Sequence, residues 1–207
     1  KLMLEHCQTP WLMYTSDEDR PSPAYIERIV TEQADNPSIG IFRGSVVPGT
    51  ASENSFKVPN ARLKGGLEAL NRFGFHNTYL SGTAYHCGNL RRKGIIERFL
   101  RGVDAHVDYP HLYLDALTTA LLDVEMTEME SCREGTADPE IGGRGDLYQR
   151  PYTVGARLDQ FWLTRSAVFE ALDSIEDGVT QKDLVETYAN VCNIYLRLCV
   201  EVNGPVF

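Results

Sequence analysis

The stretch PHLYLDALTTALLDVEMTEMESC, Pro110 to Cys132, decides how the rest of the chain is read. Leu114, Leu117, Leu121, Val124 and Met129 recur at helical spacing, so their side chains fall along one stripe. Proline suits the first helical position, where its missing N–H costs nothing. The pattern predicts one long helix from Pro110 to about Cys132. With that helix in the middle, the chain reads as mainly α: a helical domain with a C-terminal antiparallel helix hairpin and a small β element near residues 39–58.

Upstream, LRRKGIIERFLRGV predicts another helix, with Ile95, Ile96, Phe99, Leu100 and Val103 apolar. NARLKGGLEALNRFG predicts a helix from Asn60 with Gly74 as its C-terminal cap, although Gly65-Gly66 weakens its first turn. SPAYIERIVTEQADN predicts a third, capped by Ser22 and ended by Asn36-Pro37. Between them, SIGIFRGSVVPG is β-branched and predicts short strands over Ile39 to Arg43 and Ser45 to Val47.

Downstream, residues 133–152 are rich in Gly, Pro and charge and read as a loop or linker. Two amphipathic helices follow, one carrying Leu158, Phe161, Trp162, Val168, Phe169 and Leu172, the other Leu184, Tyr188, Val191 and Tyr195. The turn between them is short, which implies an antiparallel hairpin. Thr180, with Asp183 three residues on, fits a capping box. The organisation expected is a mostly helical region over 1–132, a linker over 133–152, and a hairpin over 153–207 that packs on the same domain.

The totals narrow the function. The 207 residues are 43% hydrophobic and 24% charged, with a net charge of −9. Acidic balance opposes nonspecific binding to nucleic acid, which relies on clustered Lys and Arg. No apolar run reaches the roughly 20 residues that span a bilayer. Five cysteines at irregular spacing, with no CxxC, fit reduced thiols in the cytoplasm or another reducing compartment. Lys1 is not an initiator, so the expectation is a chain trimmed or cut from something longer.

Several constellations carry possible chemistry. In YLSGTAYHCGNLRRKG, the adjacent His86 and Cys87 cannot serve each other as base and nucleophile, because neighbouring side chains diverge. His6-Cys7 and His86-Cys87 have zinc-ligand chemistry, set against buried thiols and half-exposed histidines. Arg91, Arg92 and Lys93 follow Asn89, a cap candidate, and stand in the first turn of the expected helix. Cations oppose the macrodipole there unless an anion or acidic partner faces them. His106, Asp108 and His111 are possible metal ligands, with His76 or His86 as further candidates. The acidic series Asp115, Asp123, Glu125, Glu128 and Glu130 reads instead as a solvated helix face.

Arg43 in IFRG, Ser81 and Thr83 in YLSGT, and Glu128 and Glu130 in EME come in an order that resembles the arginine, serine-threonine, glutamate-x-glutamate pattern of ADP-ribosyltransferases. The resemblance implies that Arg43 and the hydroxyls hold NAD and that Glu130 assists transfer. It also implies a β-rich fold with the glutamates on a loop leading to a strand, against the helix predicted here. Gly82 interrupts the hydroxyl run. Arg144-Gly145-Asp146 matches the integrin-binding tripeptide.

No motif is complete, and the hairpin helices carry the Trp, Phe and Tyr favoured at interfaces. The expected function is therefore a binding or assembly subunit, with a protein partner or self-association. The alternatives are an enzyme acting on a nucleotide- or phosphate-containing substrate through Arg43, Ser81, His86 and Glu130, or a metal enzyme using His106, Asp108 and His111. An anionic small molecule is the ligand that Arg91, Arg92 and Lys93 would attract.

Overall fold

The helix that begins at Pro110 ends at Leu121, and the chain turns at Leu122 into an eleven-residue strand, Asp123–Arg133. The Leu122 amide still bonds the Thr118 carbonyl at 2.8 Å, whereas the Asp123 amide bonds the Ser38 carbonyl, just before the neighbouring strand, at 2.8 Å. The Asp123 side chain holds the switch in place, since Oδ1 accepts from the Gly65 amide at 2.9 Å and Oδ2 accepts from Arg62. Beyond this point buried Val124 and Met126 alternate with partly exposed Glu125, a period of two that overrides the helical stripe.

The structure is a computed structural model that describes residues 2–32, 36–48, 56–77, 79–106, 110–135, 154–175 and 178–203. The helices are α1 (Leu2–His6), α2 (Pro23–Glu32), α3 (Leu67–Ala69, continued by a π-turn over Leu70–Gly74), α4 (Cys87–Arg92), α5 (Ile95–Gly102), α6 (Pro110–Leu121), α7 (Val154–Leu172) and α8 (Gln181–Asn203). The strands are β1 (Trp11–Tyr14), β2 (Arg20–Pro21), β3 (Ile39–Val47), β4 (Ala61–Leu63), β5 (Thr83–His86) and β6 (Asp123–Arg133).

The mainly α expectation is therefore wrong. A curled six-stranded mixed sheet, a half-barrel, forms the centre, and its strands come from residues 11 to 133, not from a small element near 39–58. The order is β1-β5-β3-β6-β2, with β4 also on β6. β3 runs antiparallel to β5 and parallel to β6, and its residues are buried as far as Val46 because both faces are covered. Tyr25 and Ile29 of α2 cover Phe42 and Ala84 on one face. On the other face Ile41, Tyr85, Val124 and Met126 join the main core with α3, α5, α6, α7 and α8. Gly40 lets the end of α6 approach: a Cβ there would lie 2.5 Å from Thr118 Cγ2 and 2.7 Å from Leu122 Cβ.

Other expected helices are shorter. Ala61–Leu63 is strand β4, and Gly66 turns the chain at φ 119° before α3. The helix expected across Leu90–Val103 is two helices, broken at Gly94 with φ 68°. The hairpin matches its pattern: Thr180 and Asp183 cap reciprocally, with Thr180 N donating to Asp183 Oδ2 at 2.9 Å and Asp183 N to Thr180 Oγ1 at 3.3 Å. Most of the loop read over 133–152, with the Arg144–Asp146 tripeptide, lies outside the described residues. No helix among the described residues is long and apolar enough to cross a membrane.

Candidate functional site

The register Arg43↔Thr83 places an arginine and a hydroxyl side by side on adjacent strands. Alternation sends Thr83 and Tyr85 to the α6 side of the sheet and Ala84 and His86 to the α2 side. On the α6 side the polar groups link up. Arg43 Nη1 donates to Thr83 Oγ1 at 3.0 Å and to the Ser81 carbonyl. Asn77 Nδ2 donates to Thr83 Oγ1 at 3.1 Å and to Asp115 Oδ2 at 3.0 Å. Tyr85 OH donates to Asp115 Oδ1 at 2.6 Å, and His111 Nε2, one turn earlier on α6, donates to the Asn77 carbonyl at 3.1 Å.

Burial sets the electrostatics of this network. It pushes the Asp115 carboxyl up to about 7, although the Tyr85 and Asn77 hydrogen bonds and the Arg43 charge pull the other way. Burial also pulls His111 down to about 4 and lowers Arg43. Asp115 is fully buried, which corrects its reading as part of a solvated face. The clue was its place inside LYLDALTTA, where every residue from Leu112 to Ala120 is buried.

Arg43 lies in the wall of a cleft of about 370 Å³, a size suited to a small ligand. Lys57, Arg72 and His76 line the same cleft, and no carboxylate does among the described residues. Phe56 and Tyr79 stack at its edge, ring centres 4.4 Å apart. Segment 56–58 is tied to β3: Val46 N donates to the Phe56 carbonyl at 2.9 Å, and Val58 N to Ser45 Oγ at 3.1 Å. This segment also walls a second cleft of about 690 Å³, which Ser45, Lys57 and Glu128 line. Arg72 is exposed and paired with Glu68 at 3.1 Å, whereas Arg43 has no carboxylate partner among the described residues.

Of the residues singled out in the sequence, Arg43, Ser81 and Thr83 come together. The Ser81 hydroxyl, however, accepts from the Ser16 amide at 2.8 Å and so anchors the chain beyond β1. Gly82 is the turn that brings them together: its φ is 82°, and a Cβ there would collide with Ser131 and crowd Arg43 Nη1 at 3.3 Å. Glu128 and Glu130 lie on β6, not on a helix, at a bulge where the register jumps from Gly44↔Thr127 to Ser45↔Glu130. Glu130 pairs with Arg133 at 3.0 Å, while Glu128 faces the larger cleft.

The others lie elsewhere. His86 caps α4 through Nδ1, which accepts from the Asn89 amide at 3.1 Å, and its ring packs edge-on to Trp11. Because α4 starts at Cys87, Arg91 and Arg92 occupy its last turn, where cations suit the macrodipole, and Lys93 is its C-cap. Arg91 donates to the Leu4 and Cys7 carbonyls, and Arg92 to the Pro37 carbonyl at 2.5 Å. His106 stacks on Tyr113, ring centres 4.1 Å apart, on the far side of α6 from Asn77. Asp108 lies outside the described residues. Among the described residues no three His, Cys, Asp or Glu side chains gather as a metal site would need. Sequence reading missed Lys57, Phe56, Asn77 and Tyr85, which belong to no motif and meet only through the sheet. No model of a known protein family matches the chain, and no curated protein sequence matches it.

Proposed function

We propose that the chain binds a small anionic ligand carrying a flat ring, a nucleotide-type molecule, in the Arg43 cleft. The observation that carries this reading is the guanidinium itself. Arg43 is 2% exposed, yet no carboxylate among the described residues pairs with it. Both of its side-chain hydrogen bonds among the described residues leave from Nη1, which leaves Nε and Nη2 to face a ligand. A buried charge without a counter-ion is costly, and a phosphate in the cleft supplies the missing charge through the fork geometry that arginine favours. Lys57 adds positive potential beside the Glu68-paired Arg72, and Phe56, 39% exposed, offers a ring face for stacking. The closeness of Arg43, Ser81 and Thr83 makes NAD and ADP-ribose the first ligands to test, with AMP and pyrophosphate as fragments.

A ligand that binds only the folded chain raises its melting temperature. Saturating ligand is expected to raise it by about 5 °C. Arg43→Met is expected to lower the melting temperature of the unliganded protein, since the Ser81 carbonyl and the Thr83 hydroxyl lose a donor, and to abolish the ligand shift. No shift with any of the four compounds, or an unchanged shift in the variant, overturns the reading.

Assembly is the second reading, favoured by one observation. Leu158, Trp162, Val185 and Leu196 on α7 and α8 are each more than half exposed, beside an apolar recess of about 170 Å³ between Leu158, Phe161, Cys192, Tyr195 and Leu196. A projecting Trp162 next to a recess on the same face suits a two-fold contact with a second copy of this chain.

A further inference from the structure

Two of the cysteines meet at a place the ligand cleft does not touch. Cys7 follows α1, and Cys87 opens α4 directly after β5. Their sulfurs lie 3.3 Å apart, across 80 residues of chain. The surroundings hold both ends. Leu4 of α1 is fully buried in the core, Arg91 donates to the Leu4 and Cys7 carbonyls, and the Cys87 amide donates to the Pro10 carbonyl at 2.8 Å. Closing to a disulfide bond length of about 2.05 Å needs a movement of little more than 1 Å.

We propose that Cys7 and Cys87 are a peroxide-responsive thiol pair that closes into a disulfide and staples α1 to the start of α4. The two thiols are unequal in a way that suits the two steps. Cys7 is half-buried and open to a small oxidant, whereas Cys87 is buried and within reach of Cys7. Desolvation raises the Cys7 thiol, but hydrogen bonds with Thr9 and Cys87 and the Arg91 charge outweigh it and hold the thiol below its ordinary value. Burial, reinforced by the neighbouring Cys7, pushes Cys87 up to about 12, so Cys7 is the thiol of the pair that ionises first.

In the first step the Cys7 thiolate attacks a peroxide oxygen: an S–O bond forms, the O–O bond breaks, and the departing hydroxide takes a proton to leave as water. Cys7 is then a neutral sulfenic acid, and the part of the Cys87 shift that came from the Cys7 charge is gone. In the second step the Cys87 sulfur attacks the Cys7 sulfur: the S–S bond forms, the S–O bond breaks, and a second water leaves with the Cys87 proton. Two thiols are oxidised by two electrons and one peroxide is reduced to two waters. Cys132 and Cys192, with no cysteine partner among the described residues, are internal controls.

The test is peroxide treatment of the reduced chain, followed by alkylation, intact mass and peptide mapping. The expected product has lost two hydrogens, carries a Cys7–Cys87 linked peptide, and melts about 10 °C higher than the reduced protein, because the link closes a long loop. Cys87→Ser is expected to stop at a Cys7 sulfenic acid that a dimedone-type reagent traps. Cys7→Ser is expected to leave Cys87 reduced. If Cys7 and Cys87 in peroxide-treated wild type alkylate as readily as Cys192, or if the linked peptide joins other cysteines, the pair is not the switch. That wild-type map decides the matter even if a serine variant fails to fold.

Discussion

Two stretches of this chain carry the same helical apolar spacing and fold differently. From Pro110 to Arg133 the stripe Leu114, Leu117, Leu121, Val124 leads from a helix into an interior strand of the sheet, β6. From Val154 to Asn203 the stripes are two helices, as their spacing predicts. The difference lies in what surrounds them. α6 and β6 are covered by neighbours on several sides, so tertiary pairing with β3, β4 and β2 outweighs local preference. The hairpin has one covered side, with Ala167, Val168, Ala171, Leu172 and Val191 in the core and Leu158, Trp162, Val185 and Leu196 toward solvent. Amphipathic helices betray themselves in sequence, and elements covered all round do not.

The sharpest way to break this comparison is a matched pair of truncations. Leu117, fully buried on α6, is expected to cost about 3 kcal/mol on Leu117→Ala, since a cavity remains. Leu196, 64% exposed on α8, is expected to cost less than about 0.5 kcal/mol on Leu196→Ala. Urea unfolding of both variants measures this, and equal costs would mean that the hairpin face is covered in solution.

A smaller effect is confined to the sheet side. Asp115 keeps its proton in the folded state up to about pH 7, whereas the unfolded chain releases it near its ordinary value of 3.8. Its contribution to stability is therefore present below about pH 4 and lost as pH rises to about 7. His111 is the reverse: its pKa falls from 6.5 to about 4 on folding, so stability is lost as pH drops through that window. The two slopes oppose one another, each at most about 1.4 kcal/mol per pH unit. Asp115→Asn is expected to unmask the His111 slope, with stability falling on acidification from pH 6.5. His111→Gln is expected to unmask the Asp115 slope, with stability falling as pH rises toward 7. Urea midpoints from pH 4.5 to 7.5 check both, and two flat profiles would count against burial as the cause.

The smallest effect on folding concerns the hairpin. Leu196→Glu is expected to leave the unfolding midpoint within about 0.5 kcal/mol of wild type and to dissolve any self-association. Light scattering across a concentration series reads the second part, and a wild type that stays monomeric throughout sinks the second-copy reading.

Legibility was uneven at the site as well. Arg43, Ser81 and Thr83 stood out as residue types in an order, and they do meet. Asp115 was visible but misassigned, because a carboxylate on a predicted amphipathic helix is normally solvated. Asn77, Phe56 and Lys57 carried no signal: each becomes part of the site only because β3, β5 and α6 bring distant segments together. His86, conspicuous beside Cys87, is a helix cap, a local role that its spacing to Asn89 allowed.

Taken alone, the amino-acid sequence determined the α7–α8 hairpin, the Thr180–Asp183 cap and the helical start at Pro110. All of these rest on contacts between residues a few positions apart, which local geometry dictates. Only the tertiary structure decided that the chain past Leu122 is a strand, that Glu128 sits on a sheet bulge, that Arg43 is buried with no carboxylate paired to it among the described residues, and that Cys7 meets Cys87. Those outcomes depend on pairings between residues tens of positions apart, whose partners are fixed only when the sheet closes and the core fills.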